Sequence, residues 1–305
     1  MTEAKKGVLA VVLACLIWGF APAYYKHFNQ VAAAEMLSHR TLWTLAMFGG
    51  VLLAQRRLGE VWALMVGKQA RRVWAATLLI SANWFIFIWA VQGGRAVEAS
   101  LGYYIFPLVA VLIGVFGFGE RMQPVQAVAI GLAAVAVAVL TFGLGVAPVI
   151  ALSLAATFAA YSALKRGVGA PALVSVTLEV VLMAPFAIGY LIWLYADGGG
   201  AFGRDLTLSL WLPLTGVITG VPLMLFTYAA QRVRMATLGL VQYLNPTFQF
   251  LTAVLILAEP FSLWHAAAFG LIWAALGLYS LSAWGQDRAS RRASVSAGTS
   301  GSVVK

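Results

Sequence analysis

The chain has 305 residues, 62% of them hydrophobic and only 10% charged, with a mean hydropathy of +0.90. Soluble domains carry about 25% charged residues, so this composition excludes a water-soluble globule and makes lipid the expected solvent. The net charge of +10 is spread over short segments between apolar runs instead of one aromatic-laced patch, which argues against a nucleic-acid partner.

A spanning helix needs roughly 20 apolar residues. Ten stretches approach that length: 7–26, 34–55, 73–92, 97–118, 124–143, 147–164, 173–195, 209–230, 236–257 and 262–283. They lack period-two alternation, so a membrane β-barrel is not expected. The fold class is an all-α membrane protein of about ten transmembrane helices. The first stretch has the outline of a signal peptide, with Lys5 and Lys6 ahead of it and Ala21-Pro22-Ala23 near its end. Bulky Trp18, Phe20, Tyr24 and Tyr25 crowd that site, and the run exceeds the usual 7–15 or so apolar residues, so it is read as a span. Cys15, the single cysteine, lies inside this run as a small apolar filler and excludes an intrachain disulfide or a cysteine-based metal site. Residues 285–305 are rich in Gly, Ser, Ala and Arg without periodicity and read as a disordered cytoplasmic tail. Arg288, Arg291 and Arg292 there are solvated charges before they are a lipid-binding patch.

With the N-terminus inside and ten alternating spans, sixteen Lys and Arg residues fall on the inner side. Lys26, Arg95 and Arg204 fall outside, and Arg40 lies within a helix. This bias places both termini in the cytoplasm of a cell inner membrane.

A shift of 139 residues superimposes two halves of the chain. Gln92 meets Gln231, Arg95 meets Arg234, Leu101 meets Leu240 and Tyr104 meets Tyr243. Pro107 then meets Pro246 and Glu120 meets Glu259, without a gap. Residues 7–143 and 147–283 are expected to be two five-helix repeats. Five is odd, so the second repeat enters the membrane inverted, as in many transporters. Pro107 and Pro246 sit near the middle of their spans, where each removes a backbone hydrogen bond. Two kinks at the bilayer midplane are expected, and matched broken helices are the best sequence pointer to a solute site.

Several strings resemble the RarD-type permeases of the EamA family, within the drug/metabolite transporter superfamily. They are Trp18 to Lys26 (WGFAPAYYK), the His39-Arg40 pair, Asn83-Trp84, Phe87 to Val91, Glu98 to Tyr103 (EASLGY), Gly119-Glu120-Arg121 and Thr237-Leu238-Gly239. The resemblance covers nearly the whole chain apart from the tail. It implies two EamA repeats and an inner-membrane permease, and it names no solute. The family often has Asn before the first proline; Phe106 stands there, which puts one amide contact in doubt.

Helix nine carries Gln242, Asn245 and Gln249 on one face, with Thr252 following. Amides in hydrocarbon need partners. They line either a cavity for a polar or zwitterionic solute or an interhelical hydrogen-bond seam. Trp18, Asn83, Trp84, Tyr103, Tyr104 and Tyr243 are the further candidates for substrate contact, against packing or interface roles for each singly. Arg40 and Glu98 fall at similar depth and are expected to pair, as a structural clamp, an outer gate or an anion contact. Glu179 lies near the opposite surface, either as a proton acceptor or as a snorkelling acid. His39 is placed to meet Glu35 one turn back, and no metal motif appears.

Together these readings give a secondary transporter working by alternating access, without cofactor. Its expected partners are a small polar, zwitterionic or amphipathic metabolite or drug, the lipid bilayer and, as an open question, protons. The alternatives are an intramembrane enzyme, which would cluster acids and histidines at one depth, and a non-transporting structural subunit, which would not need the mirrored prolines. Oligomeric state is left open.

Overall fold

The structure is a computed structural model that describes residues 2–145, 147–233 and 235–280. The segment 285–305, with its three arginines, lies outside the described residues. All regular structure within them is helical. The elements are α1 (Glu3–His27), α2 (Ala33–Ala54), α3 (Leu58–Val66), α4 (Ala70–Gln92), α5 (Ala96–Phe118), α6 (Pro124–Leu144) and α7 (Val149–Lys165). Then come α8 (Ala172–Ala196), α9 (Leu206–Trp211), α10 (Leu214–Ala230), α11 (Met235–Gln242), α12 (Leu244–Leu251), a π-helical turn (Thr252–Ile256) and α13 (Leu263–Ser280).

Among the described residues seven helices are long and apolar enough to cross a membrane, with α9 and α10 counted as one. The other three expected spans depart from that pattern for physical reasons. Helix α7 is short at 17 residues. Helix α2 buries a polar stripe of Glu35, Ser38, His39, Arg40, Thr41 and Thr44. The ninth span is interrupted. The long linkers expected over 56–72 and 196–208 hold the short α3, the first residues of α4, the end of α8 and the start of α9.

Polarity runs inside-out relative to a soluble protein. Phe116, Phe142 and Leu263 are each more than 80% exposed, whereas Asn83 is fully buried and Glu179 is 1% exposed. Lipid tolerates that arrangement and water does not, because polar groups in hydrocarbon must find partners within the protein.

The 139-residue offset of the sequence recurs in the helices. Starts at Ala33, Ala96 and Pro124 are matched by starts at Ala172, Met235 and Leu263. The ends of α5 and of the ninth span share one motif. Gly119 and Ala258, 139 apart, both adopt positive φ (67° and 52°). The next residue then bonds back six positions, Glu120 N–H to the Gly114 carbonyl and Glu259 N–H to the Ala253 carbonyl. The left-handed residue turns the chain back onto the helix, one residue longer than the Schellman bond, and satisfies carbonyls left over at the helix end. The packing partners also exchange under the offset. Helix α7 packs on α4 and α5, and α1 packs on α10 and α12; α2 packs on α8, and α5 on α12.

Two close-packed seams follow from glycine. A Cβ on Gly19 of α1 would lie 2.2 Å from the Phe248 Cβ of α12. A Cβ on Gly102 of α5 would lie 2.7 Å from the Ala151 carbonyl of α7. Small residues let helix backbones approach closely, which is how membrane helices gain packing without a hydrophobic drive.

The prolines act unequally. Helix α5 runs without interruption through Pro107, whereas the second span breaks at Tyr243, between α11 and α12. Pro246 clashes with the backbone one turn back, and the break falls in that turn. Of the two spans with a central proline, only the second is interrupted. Pro22, Pro185 and Pro222 also lie inside helices, so interior proline is general in this bundle.

Candidate functional site

Arg40 leaves α2 into the bundle interior and is 8% exposed. Its guanidinium lies over the Trp84 ring of α4, 3.5 Å from the ring centre. Its Nε donates to the Thr219 hydroxyl of α10 (2.7 Å), which in turn donates to the Thr215 carbonyl (2.9 Å). Tyr25 of α1 and Tyr103 of α5 are its other electrostatic neighbours. Five helices thus converge on one cation. Its Nη1 is buried and has no partner.

The expected Arg40–Glu98 pair does not form. Glu98 instead accepts from the Ile150 and Ala151 N–H groups (2.9 and 3.4 Å), in the first turn of α7. A helix N-terminus presents unpaired donors and a positive dipole end, so a carboxylate is satisfied there without a cation. Two more acids at this end of the bundle also bind main chain. Glu259 accepts from Ala96 and Val97 N–H at the start of α5, both at 2.8 Å. Glu35 accepts from Ala201 N–H (2.7 Å) and lies 3.8 Å from His39 Nε2, the pairing expected from the sequence.

Asn83 is the centre of a closed knot. Its amide donates to the Leu154 carbonyl (3.0 Å) and the Thr157 hydroxyl (2.9 Å) of α7, and its oxygen accepts from the Tyr103 hydroxyl (3.0 Å). Both N–H groups are spent on helix contacts, so Asn83 joins α4, α5 and α7. Tyr104 is likewise committed: its hydroxyl meets Thr247 Oγ1 at 2.6 Å. Thr247 donates to the Tyr243 carbonyl (2.7 Å), so Tyr104 is the donor, bridging α5 to α12 below the break.

Of the three amides expected on one face, Asn245 and Gln249 lie on α12 and meet there, whereas Gln242 ends α11 across the break. Gln249 is buried and donates to Asn245 Oδ1 (3.1 Å), while its own Oε1 has no partner. Thr252 turns away to the Gly19 carbonyl (2.9 Å). Gln242, Tyr243 and Trp18 are partly exposed, and Trp18 faces Phe226 of α10 with ring centres 6.4 Å apart.

Glu179 stands apart on α8, 1% exposed and 2.5 Å from Lys165 Nζ of α7. The Tyr161 hydroxyl donates to both its oxygens (3.3 Å), and Lys165 also donates to Ser175. Arg40 and Glu179 lie 139 residues apart, so the two buried charges with opposite signs occupy matched positions.

A model of the EamA-like transporter family matches residues 5–142. Protein RarD of Streptomyces exfoliatus is 40% identical over 292 residues, covering 95% of this chain and 92% of that one. Protein RarD of Escherichia coli is 36% identical, covering 92% and 96%. This chain belongs to the EamA-like transporter family, in its RarD-type branch. An uncharacterized transporter of Vibrio cholerae is 38% identical, covering 95% of this chain and 97% of its own length. A crystal structure of a further protein shares the fold, with a TM-score of 0.60 at 18% identity, covering 92% and 99% of the two chains. The relatives' names make this family one of membrane transporters.

The sequence reading missed Tyr25, Thr157, Thr219, Lys165 and Glu259. Thr215 and Thr219 offered a signal: with Gly216 and Gly220 they form a small polar face at helical spacing. Glu259 was visible as the repeat partner of Glu120, but its target on α5 was not.

Proposed function

We propose that this EamA-family protein is a secondary transporter that moves a small polar, zwitterionic or amphipathic solute across the inner membrane by alternating access. Residues 7–143 and 147–283 are its inverted repeats, and both termini are cytoplasmic. In that orientation the Glu35, Glu98 and Glu259 contacts close the outer end, and Lys165–Glu179 sits at the inner end.

One observation carries the reading. Of the four described side-chain atoms that are buried without hydrogen-bond partners, the donor Arg40 Nη1 and the acceptor Gln249 Oε1 have opposite sense and come one from each half of the chain; the others are His39 Nε2, which faces Glu35 at 3.8 Å, and Thr44 Oγ1. An orphaned buried polar group costs about 1–3 kcal/mol, and helices that merely scaffold a membrane would not retain two. A polar solute between the repeats would offset both costs. Arg40, Trp84, Asn245 and Gln249 are the proposed contacts, with Trp18, Tyr103, Gln242 and Tyr243 around them. Asn83 and Tyr104 hold the helices that carry these contacts. Lys165 already compensates Glu179, so the cycle as proposed needs no proton.

The test is efflux from proteoliposomes loaded with a bacterial small-metabolite extract, read by mass spectrometry. Selective loss of a few metabolites, accelerated by the same metabolite outside, is expected. An efflux profile equal to that of protein-free liposomes sinks the reading.

A further inference from the structure

Among the described residues Arg40 is a cation without an anion. The four acids placed around the interior are all engaged elsewhere: Glu35 and Glu98 with main-chain N–H groups, Glu259 with the start of α5, and Glu179 with Lys165. The groups that do touch Arg40 are neutral: Thr219, the Trp84 face and the Tyr25 hydroxyl, with Tyr103 nearby. A buried unpaired charge in a membrane is costly and marks a functional site by default.

The geometry points to Arg40 as the anchor for the carboxylate of a small aromatic monoacid, and this deepens the transport reading on which it rests. Stacking on Trp84 fixes the plane of the guanidinium. The Nε edge is already spent on Thr219. An incoming carboxylate is therefore left with the end-on edge, whose Nη1 has no partner and which the neutral Tyr25 hydroxyl flanks, and a planar two-oxygen acceptor matches that fork. One negative charge balances the site; a neutral ligand leaves it uncompensated, and a dianion reverses it. The surroundings are aromatic. Trp84 lies under the cation, and Tyr25, Phe87 and Tyr103 form a run with ring centres 6.1 and 5.7 Å apart. Nη1 is sealed from solvent in this conformation, so the acid reaches it when the helices around Arg40 part during the cycle.

The probe is benzoate, added to the purified full-length protein and read by thermal unfolding at constant ionic strength. Its controls are benzamide, acetate and inorganic phosphate. Benzoate is expected to raise the unfolding temperature saturably, with acetate weaker and benzamide and phosphate inert. Arg40→Gln and Arg40→Lys are each expected to weaken benzoate binding about tenfold or more; the lysine keeps the charge and loses the fork. The proposal is overturned if benzamide matches benzoate, if Arg40→Gln binds benzoate as the wild type does, if phosphate is the ligand that saturates, or if benzoate has no effect up to about 10 mM, beyond the range of ordinary solute sites. Size-exclusion profiles report whether Arg40→Gln is folded; if it is not, the benzoate–benzamide comparison on wild type decides. Metabolite efflux that survives in Arg40→Gln while benzoate is inert defeats this assignment and leaves the transport reading standing. Benzoate binding without any efflux does the reverse.

Discussion

Replacing Asn83 by leucine separates a helix clamp from a solute contact. Leucine is similar in size, so no large cavity forms, and the effect is that of the lost polar contacts. Three hydrogen bonds disappear, two from the amide to α7 and one from Tyr103. Side-chain hydrogen bonds inside membrane proteins contribute about 0.6 kcal/mol each on average, so the three give about 2 kcal/mol. Thr157 keeps its bond to the Ser153 carbonyl and suffers little, whereas the Tyr103 hydroxyl is left without its acceptor and adds to the loss. Unfolding free energy measured by SDS titration or steric trapping should fall by about 2 kcal/mol, while transport per folded molecule stays near wild type. A loss below about 0.5 kcal/mol would refute the clamp. So would full stability with abolished solute binding, which would return Asn83 to the substrate site.

Further outcomes follow from the same coordinates. Ala258 holds a left-handed backbone that costs a β-carbon about 1–2 kcal/mol, so Ala258→Gly should stabilise the protein by up to about 1 kcal/mol, visible as a raised melting temperature. Gly19→Val should abolish folded expression, because Phe248 occupies the space for any side chain; Gly131→Ala in α6, with nothing within 4 Å, should express and melt normally, and equal behaviour of the two would discredit the α1–α12 seam. Lys165→Met strands a carboxylate that is 1% exposed, at about 3–5 kcal/mol. Glu179→Gln strands only a lysine that is 20% exposed and can reach toward water. The lysine variant should therefore melt at the lower temperature, and the opposite order would mean Lys165 is not the partner that matters. In a Cys15→Ser background, Arg95→Cys should react with an impermeant maleimide in intact cells and Arg232→Cys only after lysis; labelling on one side would end the inverted-repeat assignment.

Span positions were legible because hydrophobic length and helix length obey the same constraint, set by bilayer thickness. The 139-residue offset was legible too: Pro107 and Pro246, and Glu120 and Glu259, are identities at it, and helix starts recur at the same spacing. Depth along a helix can be counted from a sequence; rotation about its axis relative to neighbours cannot. That is why Arg40 and Glu98, read as lying at similar depth, were joined although the fold gives them different partners. Glu98 faces the first turn of α7, and a string of apolar residues such as Val149-Ile150-Ala151 advertises no charge. The attraction comes from main-chain N–H groups that every helix start possesses. The unequal behaviour of Pro107 and Pro246 had no sequence signal, because proline in a membrane helix either bends or breaks it according to the neighbours that resatisfy the backbone.

Three carboxylates at one end of the bundle dock into peptide N–H groups, and this shapes how the molecule tolerates change. A side-chain socket can be rebuilt by a second substitution that reverses charge on both partners. A peptide socket offers no letter to alter. Loss of Glu35, Glu98 or Glu259 should therefore lack suppressors at the residues they touch, and any revertant must arise by restoring an acceptor of the same reach. The closure is thereby insulated from sequence drift in α5 and α7, and the acids become the sole mutable half of each latch.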